Sequence, residues 1–202
     1  RQVCEGGNAT GCVLLGEMYE YARGVTRDHR RAVTLYRQAC EGGNATGCAN
    51  LGWMYVLGRG VTQDHGRAVT LYRQACEGGL ARGCVLLGRR YEDGLGVTQD
   101  DGRAVTLYRQ ACDSGSARGC NHLGIAYATG IGVTRDDARA VTLYQGACEN
   151  LYSYACIGLR RMYEAGRGVT QDNGRAMELD HMACAMSNTS ACHRVGEVDY
   201  DL

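Results

Sequence analysis

The chain has 202 residues with 22 basic and 22 acidic side chains and a formal net charge of zero, so it lacks the basic face that marks a nucleic-acid binder. It contains no proline, no phenylalanine and no lysine. The missing lysine excludes Schiff-base, P-loop and Ser-x-x-Lys chemistry. No apolar run approaches the ~20 residues needed to cross a bilayer, and no membrane span is expected.

Twelve cysteines stand in six pairs, Cys4 and Cys12, Cys40 and Cys48, Cys76 and Cys84, Cys112 and Cys120, Cys148 and Cys156, and Cys184 and Cys192. Members of a pair are eight residues apart and successive pairs are thirty-six apart, which is the signature of an array of one repeated unit. Free thiols, metal ligands and disulfides are the three readings of such pairs. Zinc sites place about two to four residues between paired cysteines, whereas seven intervene here, and no histidine recurs beside them. Disulfides in an oxidising compartment fit best, and neither a metal nor a cofactor is expected.

The opening residues 1–7 match residues 37–43, so the chain is expected to open on the last turn of a helix whose start, with any leader, lies upstream of Arg1. Repeats then run over 8–43, 44–79, 80–115, 116–151 and 152–187, and a half-repeat over 188–202 closes a single array. In the first half of each unit, Ala9, Cys12, Leu15, Gly16 and Tyr19 fall at steps of three and four, one face of a helix termed A. Gly16 and its counterparts Gly52, Gly88 and Gly124 cost a helix interior ~1 kcal/mol against alanine. Close approach of a neighbouring backbone is the expected reason. Glycine pairs such as Gly58 and Gly60 end helix A.

The second half opens at Asp28, Asp64, Asp100, Asp136 or Asp172, placed to cap the free amides of a helix termed B. Ala32, Leu35, Tyr36, Ala39 and Cys40 form its buried face. Helix B ends at Gly42 and Gly43 and the next helix A follows at once. Cys40 and Cys48 thus meet across a tight helical hairpin, within the reach a disulfide needs, and each bridge would join one repeat to the next.

The pattern Ala-x-x-Cys-x-x-Leu-Gly-x-x-Tyr, Gly-x-Gly-Val, Asp-x-x-x-Ala-x-x-Leu-Tyr-x-x-Ala-Cys, carried in full by 8–43 and 44–79, apart from Ala22 in place of the first loop glycine of 8–43, resembles the Sel-1-like repeat, a relative of the tetratricopeptide repeat. The cysteine pairs are similar to those of its cysteine-rich branch, typified by the Helicobacter cysteine-rich proteins. The resemblance implies an all-α solenoid of αα-hairpins wound into a right-handed superhelix, with A helices on the concave side, secreted or periplasmic, holding proteins or peptides. Late in the chain the pattern changes: Arg160 replaces the Gly16 type, Asn150 and Leu151 replace the hairpin glycines, and Asp199 replaces the Tyr19 type.

Positions that stay constant between repeats build the solenoid, and positions that vary are free for function. On helix A the variable stripe is Leu14, Glu17, Met18 and Tyr21 with their counterparts. Asn50, Trp53, Leu57, Arg89, Arg90, Asp93, His122, Ile125 and Arg161 are the candidate ligand-binding residues. Trp53 is the expected anchor for a protein or extended peptide in the concave groove, and Asn50 with Arg89 would hold its backbone or carboxylate. His122 has no recurring nucleophile beside it and is read as a groove residue; no catalytic residue is assigned. A monomeric, peptide-binding scaffold is the expectation. Alternatives are a β-lactam- or peptidoglycan-directed hydrolase, suggested by activities described in that branch and weakened by the absent lysine, and a regulatory or immunity-type interaction module.

Overall fold

A computed structural model describes Cys4 and residues 8–196. The expected partial helix at 1–7, Cys4 aside, and Asp199 in the final half-repeat lie outside the described residues. Eleven helices and no strand are found among the described residues, grouped in two compact units, 1–100 and 101–202. The first unit holds α1 (Ala9–Tyr21), α2 (His29–Glu41), α3 (Ala45–Leu57), α4 (His65–Glu77) and α5 (Ala81–Asp93). The second holds α6 (Asp101–Asp113), α7 (Ala117–Thr129), α8 (Asp137–Glu149), α9 (Ser153–Ala165), α10 (Asn173–Ala185) and α11 (Thr189–Val195). Helices alternate A and B, and each packs on its sequence neighbours within its unit.

Side chains set the helix starts. Asp28, Asp64, Asp136 and Asp172 accept from the backbone amides of Arg31, Arg67, Arg139 and Arg175 at 2.9–3.0 Å, satisfying a donor that the helix leaves open. Asn8, Asn44, Ser116 and Asn188 cap A helices in the same way. After helix A the chain turns left-handed at Gly58 (φ 64°) and again at Gly60 (φ 72°). A Cβ on Gly60 would lie 2.4 Å from the carbonyl oxygen of His29, so this turn rests on the start of the preceding B helix.

All six cysteine pairs are disulfides, with Cα atoms 4.5–4.8 Å apart. The hairpin geometry comes from a small residue one position before the second cysteine. A Cβ on Gly47 would stand 2.5 Å from the Ala39 Cβ, so only glycine lets α3 approach α2 this closely. Each bridge joins consecutive repeats, as expected from the spacing. Closing a loop this short contributes roughly 2–3 kcal/mol in the chain-entropy account.

The glycine inside helix A has a different origin from the one the sequence suggested. A Cβ on Gly16 would meet the Tyr36 ring at 2.6 Å, one on Gly52 the Tyr72 ring at 2.7 Å, and one on Gly124 the Tyr144 ring at 2.8 Å. The neighbour is an aromatic ring laid flat on the helix. In the last full repeat both partners change together: Arg160 stands for the glycine and Asp180 for the tyrosine. Arg160 lies 3.5 Å from Asp180 and also pairs with Glu164, while Arg194 closes on Asp180 at 2.6 Å. A buried ion network thus replaces a ring on glycine, which is consistent with buried charge being retained only where it is paired.

Candidate functional site

The variable stripe of helix A divides by burial into two kinds of position. One column is Asn50, Leu86, His122 and Gly158, and its last two members lie against the helix-B tyrosine of the preceding repeat. His122 stacks on Tyr108 with ring centroids 4.7 Å apart and planes 19° from parallel, and a Cβ on Gly158 would be 2.8 Å from the Tyr144 ring. Asn50 and Leu86 share this register and are each 8% exposed. A second column, Met54, Arg90, Ala126 and Met162, is also buried. Asn50 and Arg90 therefore sit in the wall of the stripe, and His122 is half-buried against a ring.

The remaining two columns face outward. In the first unit they present Glu17 and Tyr21 from α1, Trp53 and Leu57 from α3, and Arg89 and Asp93 from α5. Tyr21 is 51% exposed and Leu57 37%, and Trp53 is half-buried between them in sequence register. In the second unit the same columns present Ile125 and Thr129 from α7 and Arg161 and Ala165 from α9, all exposed. Six of the nine candidates, Trp53, Leu57, Arg89, Asp93, Ile125 and Arg161, are thus accessible without rearrangement.

Charge is graded across the first unit. α1 carries Glu17 and the buried Glu20, and α5 carries Arg82, Arg89 and Arg90 against Glu92 and Asp93 at its end. The Tyr36 hydroxyl donates to Glu20 at 2.6 Å; burial first, and then this bond, push the Tyr36 pKa well above the ordinary tyrosine value. The counterpart of Glu20 in the next repeat is Val56, and the Tyr72 hydroxyl is buried without a partner. Burial pushes Tyr72 up to about 12, opposed by the charges of Arg90, Arg82 and Arg89. Arg90 reaches Asp93 at 3.5 Å, while its Nε has no partner. Tyr21 is raised by burial and by Glu20, and Arg82 lowers it.

Among the described residues no group of three or more His, Cys, Asp or Glu side chains is placed to hold a metal ion, and no helix is long and apolar enough to cross a membrane. Two cavities of the first unit lie away from the variable stripe, among residues that repeat. Tyr19, Arg31 and Gln38 line one, and Tyr55, Arg67 and Gln74 line the other, thirty-six residues on. Their residues are constant between repeats, the property that in sequence marks the scaffold. The available signal was an arginine kept on the exposed side of every B helix, where packing alone asks for none.

Known proteins share this architecture. Sel1 repeats are matched at residues 9–44, 45–80, 81–116, 117–150 and 151–188. Among curated proteins none matches this sequence. Of solved structures, a protective antigen present in uropathogenic Escherichia coli strains, displaying an SLR fold, is 34% identical with a TM-score of 0.86; the match covers 98% of this chain and 42% of that one. The chain thus spans about two fifths of the antigen's length. A Sel1 repeat protein from Oxalobacter formigenes is 29% identical with a TM-score of 0.83, covering 93% of this chain and 77% of that one. Cysteine-rich protein B of Helicobacter pylori is 29% identical with a TM-score of 0.51, covering 60% and 87%. With five matched repeats, helix hairpins in the expected register and a disulfide at every joint, the chain belongs to the Sel1 repeat family.

Proposed function

We propose that this protein is an interaction scaffold that captures an extended peptide segment of a partner protein on the outward columns of its A helices. Sel1 repeats commonly serve as protein-interaction modules. The observation that carries the reading is the face of the first unit, where Tyr21, Trp53 and Leu57 offer apolar area between the acidic edge of α1 and the basic edge of α5. Stacked parallel helices expose their varying side chains in one line, and a peptide anchors best where an aromatic side chain is ringed by polar groups. Arg89 is the accessible cation for a carboxylate of the partner, and Glu17 the accessible anion for a basic side chain.

Six closed bridges and the likeness to a Helicobacter cysteine-rich protein support a location outside the reducing cytoplasm, secreted or periplasmic. Peptides selected from a random library on the folded protein supply the test. They are expected to lose at least tenfold in affinity on Trp53→Ala and on Arg89→Gln, the range of a hot-spot truncation. Selected peptides that bind both variants as tightly as the parent would refute the assignment.

A further inference from the structure

Two cavities of the first unit are copies of one design. The first, about 340 Å3, is lined by Leu15, Tyr19, Arg31, Thr34, Leu35 and Gln38 beside Cys4. The second, about 350 Å3, is lined by the same residue types one repeat on, with Arg37 and Glu41 added. The floor is aliphatic, from Leu51 and Leu71, and the donors converge at one end. Arg67 lies over the Tyr55 ring, 5.6 Å from its centroid, and donates to the Tyr55 hydroxyl at 3.2 Å. Arg31 does the same to Tyr19 at 3.3 Å.

At later repeats a second arginine approaches this tyrosine from the preceding B helix. Arg73 donates to Tyr91 at 3.4 Å, and in the second unit Tyr127 accepts from Arg109 at 3.1 Å and from Arg139 at 3.3 Å. Tyr55 accepts from Arg67, Arg37 stands on the same cavity lining, and the hydrogen bond from Arg67, with Arg37 adding, holds the Tyr55 hydroxyl below the ordinary value. A phenol that accepts from two guanidinium groups has filled its lone pairs and keeps one proton to donate. The hydroxyls of Tyr55 and Tyr127, on residues only 7% and 6% exposed, donate to no atom of the described residues.

Acceptors around this donor set are few. Asp64 occupies Nε of Arg67 at 3.3 Å, leaving its remaining terminal N–H groups open. Glu41 stands on the cavity lining and Gln74 offers an amide oxygen. An N–H fork, an O–H donor and an aliphatic floor are complementary to a carboxylate on a short methylene stem.

We propose that the Tyr19 and Tyr55 cavities are paired receptors for an extended acidic segment of a partner protein, each taking one Asp or Glu side chain; Tyr127 repeats the donor set in the second unit. Consecutive A helices advance by roughly 10 Å, and an extended chain rises ~3.3 Å per residue. The matching ligand carries an acidic residue at every third position. Gln145 stands where Arg109 stood one repeat earlier, so the donor triangle lacks its second arginine at Tyr163. This surface is separate from the Trp53 face.

The test is fluorescence anisotropy at low salt with a terminally blocked peptide bearing Glu at every third position. Comparison peptides carry Gln in place of Glu, or Glu at every second position. The expected result is saturable binding by the first peptide alone. Binding should weaken about tenfold in Tyr55→Phe with Arg37→Gln, since hydrogen bonds to a charged group are being removed, and be unchanged in Trp53→Ala with Arg89→Gln. Arg37→Gln with Arg73→Gln, both on exposed side chains, serves as the second variant, and near-ultraviolet circular dichroism checks its packing. Equal binding of the Gln peptide, of the second-position peptide, or by the cavity variants would overturn the proposal, and so would loss of binding in the Trp53 variant.

Discussion

Tyr36 and Tyr72 occupy the same position in successive repeats, yet only the first has a hydroxyl partner. Tyr36→Phe leaves the buried Glu20 carboxylate without its donor, which costs about 1–3 kcal/mol. Tyr72→Phe removes a buried hydroxyl that bonds nothing, and is expected to be neutral or slightly stabilising. Urea unfolding of the two variants separates them; equal losses would contradict the hydrogen-bond assignment. At Asp137 the effect is electrostatic. Hydrogen bonds from Arg135 at 2.6 Å and from Arg167 at 2.6 Å hold its carboxyl well below the ordinary 3.8. A depressed carboxyl contributes stability above its unfolded value and loses it as pH falls. The urea midpoint should therefore fall between pH 5 and about pH 3 more steeply in the parent than in Asp137→Asn. Parallel pH curves would refute the role of this carboxylate.

At the scale of elements, the hairpin between helix B and the next helix A is the repeated joint. Replacing Cys40 and Cys48 together by Ala, which keeps the joint small and apolar, should lower stability by roughly 2–3 kcal/mol, read as a shift of the urea midpoint. The last full repeat tests whether the ring-on-glycine contact and the ion network are alternative solutions. Asp180→Tyr alone strands Arg194, leaves Arg160 with Glu164 only, and meets an arginine where the ring needs a glycine, a cost of about 3–5 kcal/mol. Arg160→Gly with Asp180→Tyr restores the pairing used by Gly52 and Tyr72. The double variant should be more stable than the sum of its single changes by at least 1 kcal/mol in a double-mutant cycle. Strict additivity would deny the coupling.

At the scale of the whole molecule, what the sequence disclosed was whatever repeats with a local physical cause. The period, the capping aspartates, the left-handed glycines and the cysteine pairs each follow from a residue type and its spacing, and all recur in the structure. Long-range contacts were hidden. Nothing local says that the glycine of helix A faces a tyrosine ring twenty residues on, or that His122 and Gly158 occupy one register because one face of a ring accepts imidazole or glycine alike. Variation therefore marked two outward columns of the stripe and two packed ones without telling them apart. Constancy concealed the arginine–tyrosine cavities, since a repeated binding element and a repeated packing element look the same in one sequence.

The chain has one tryptophan, Trp53, on the face assigned to peptide capture, so its emission reports that face alone. The deciding measurement is tryptophan fluorescence during titration with a library-selected peptide whose binding is followed in parallel by calorimetry. The account predicts a saturable change in the emission of Trp53 with the same midpoint as the calorimetric isotherm. Calorimetric binding with no change in that emission would place the partner elsewhere and contradict the account.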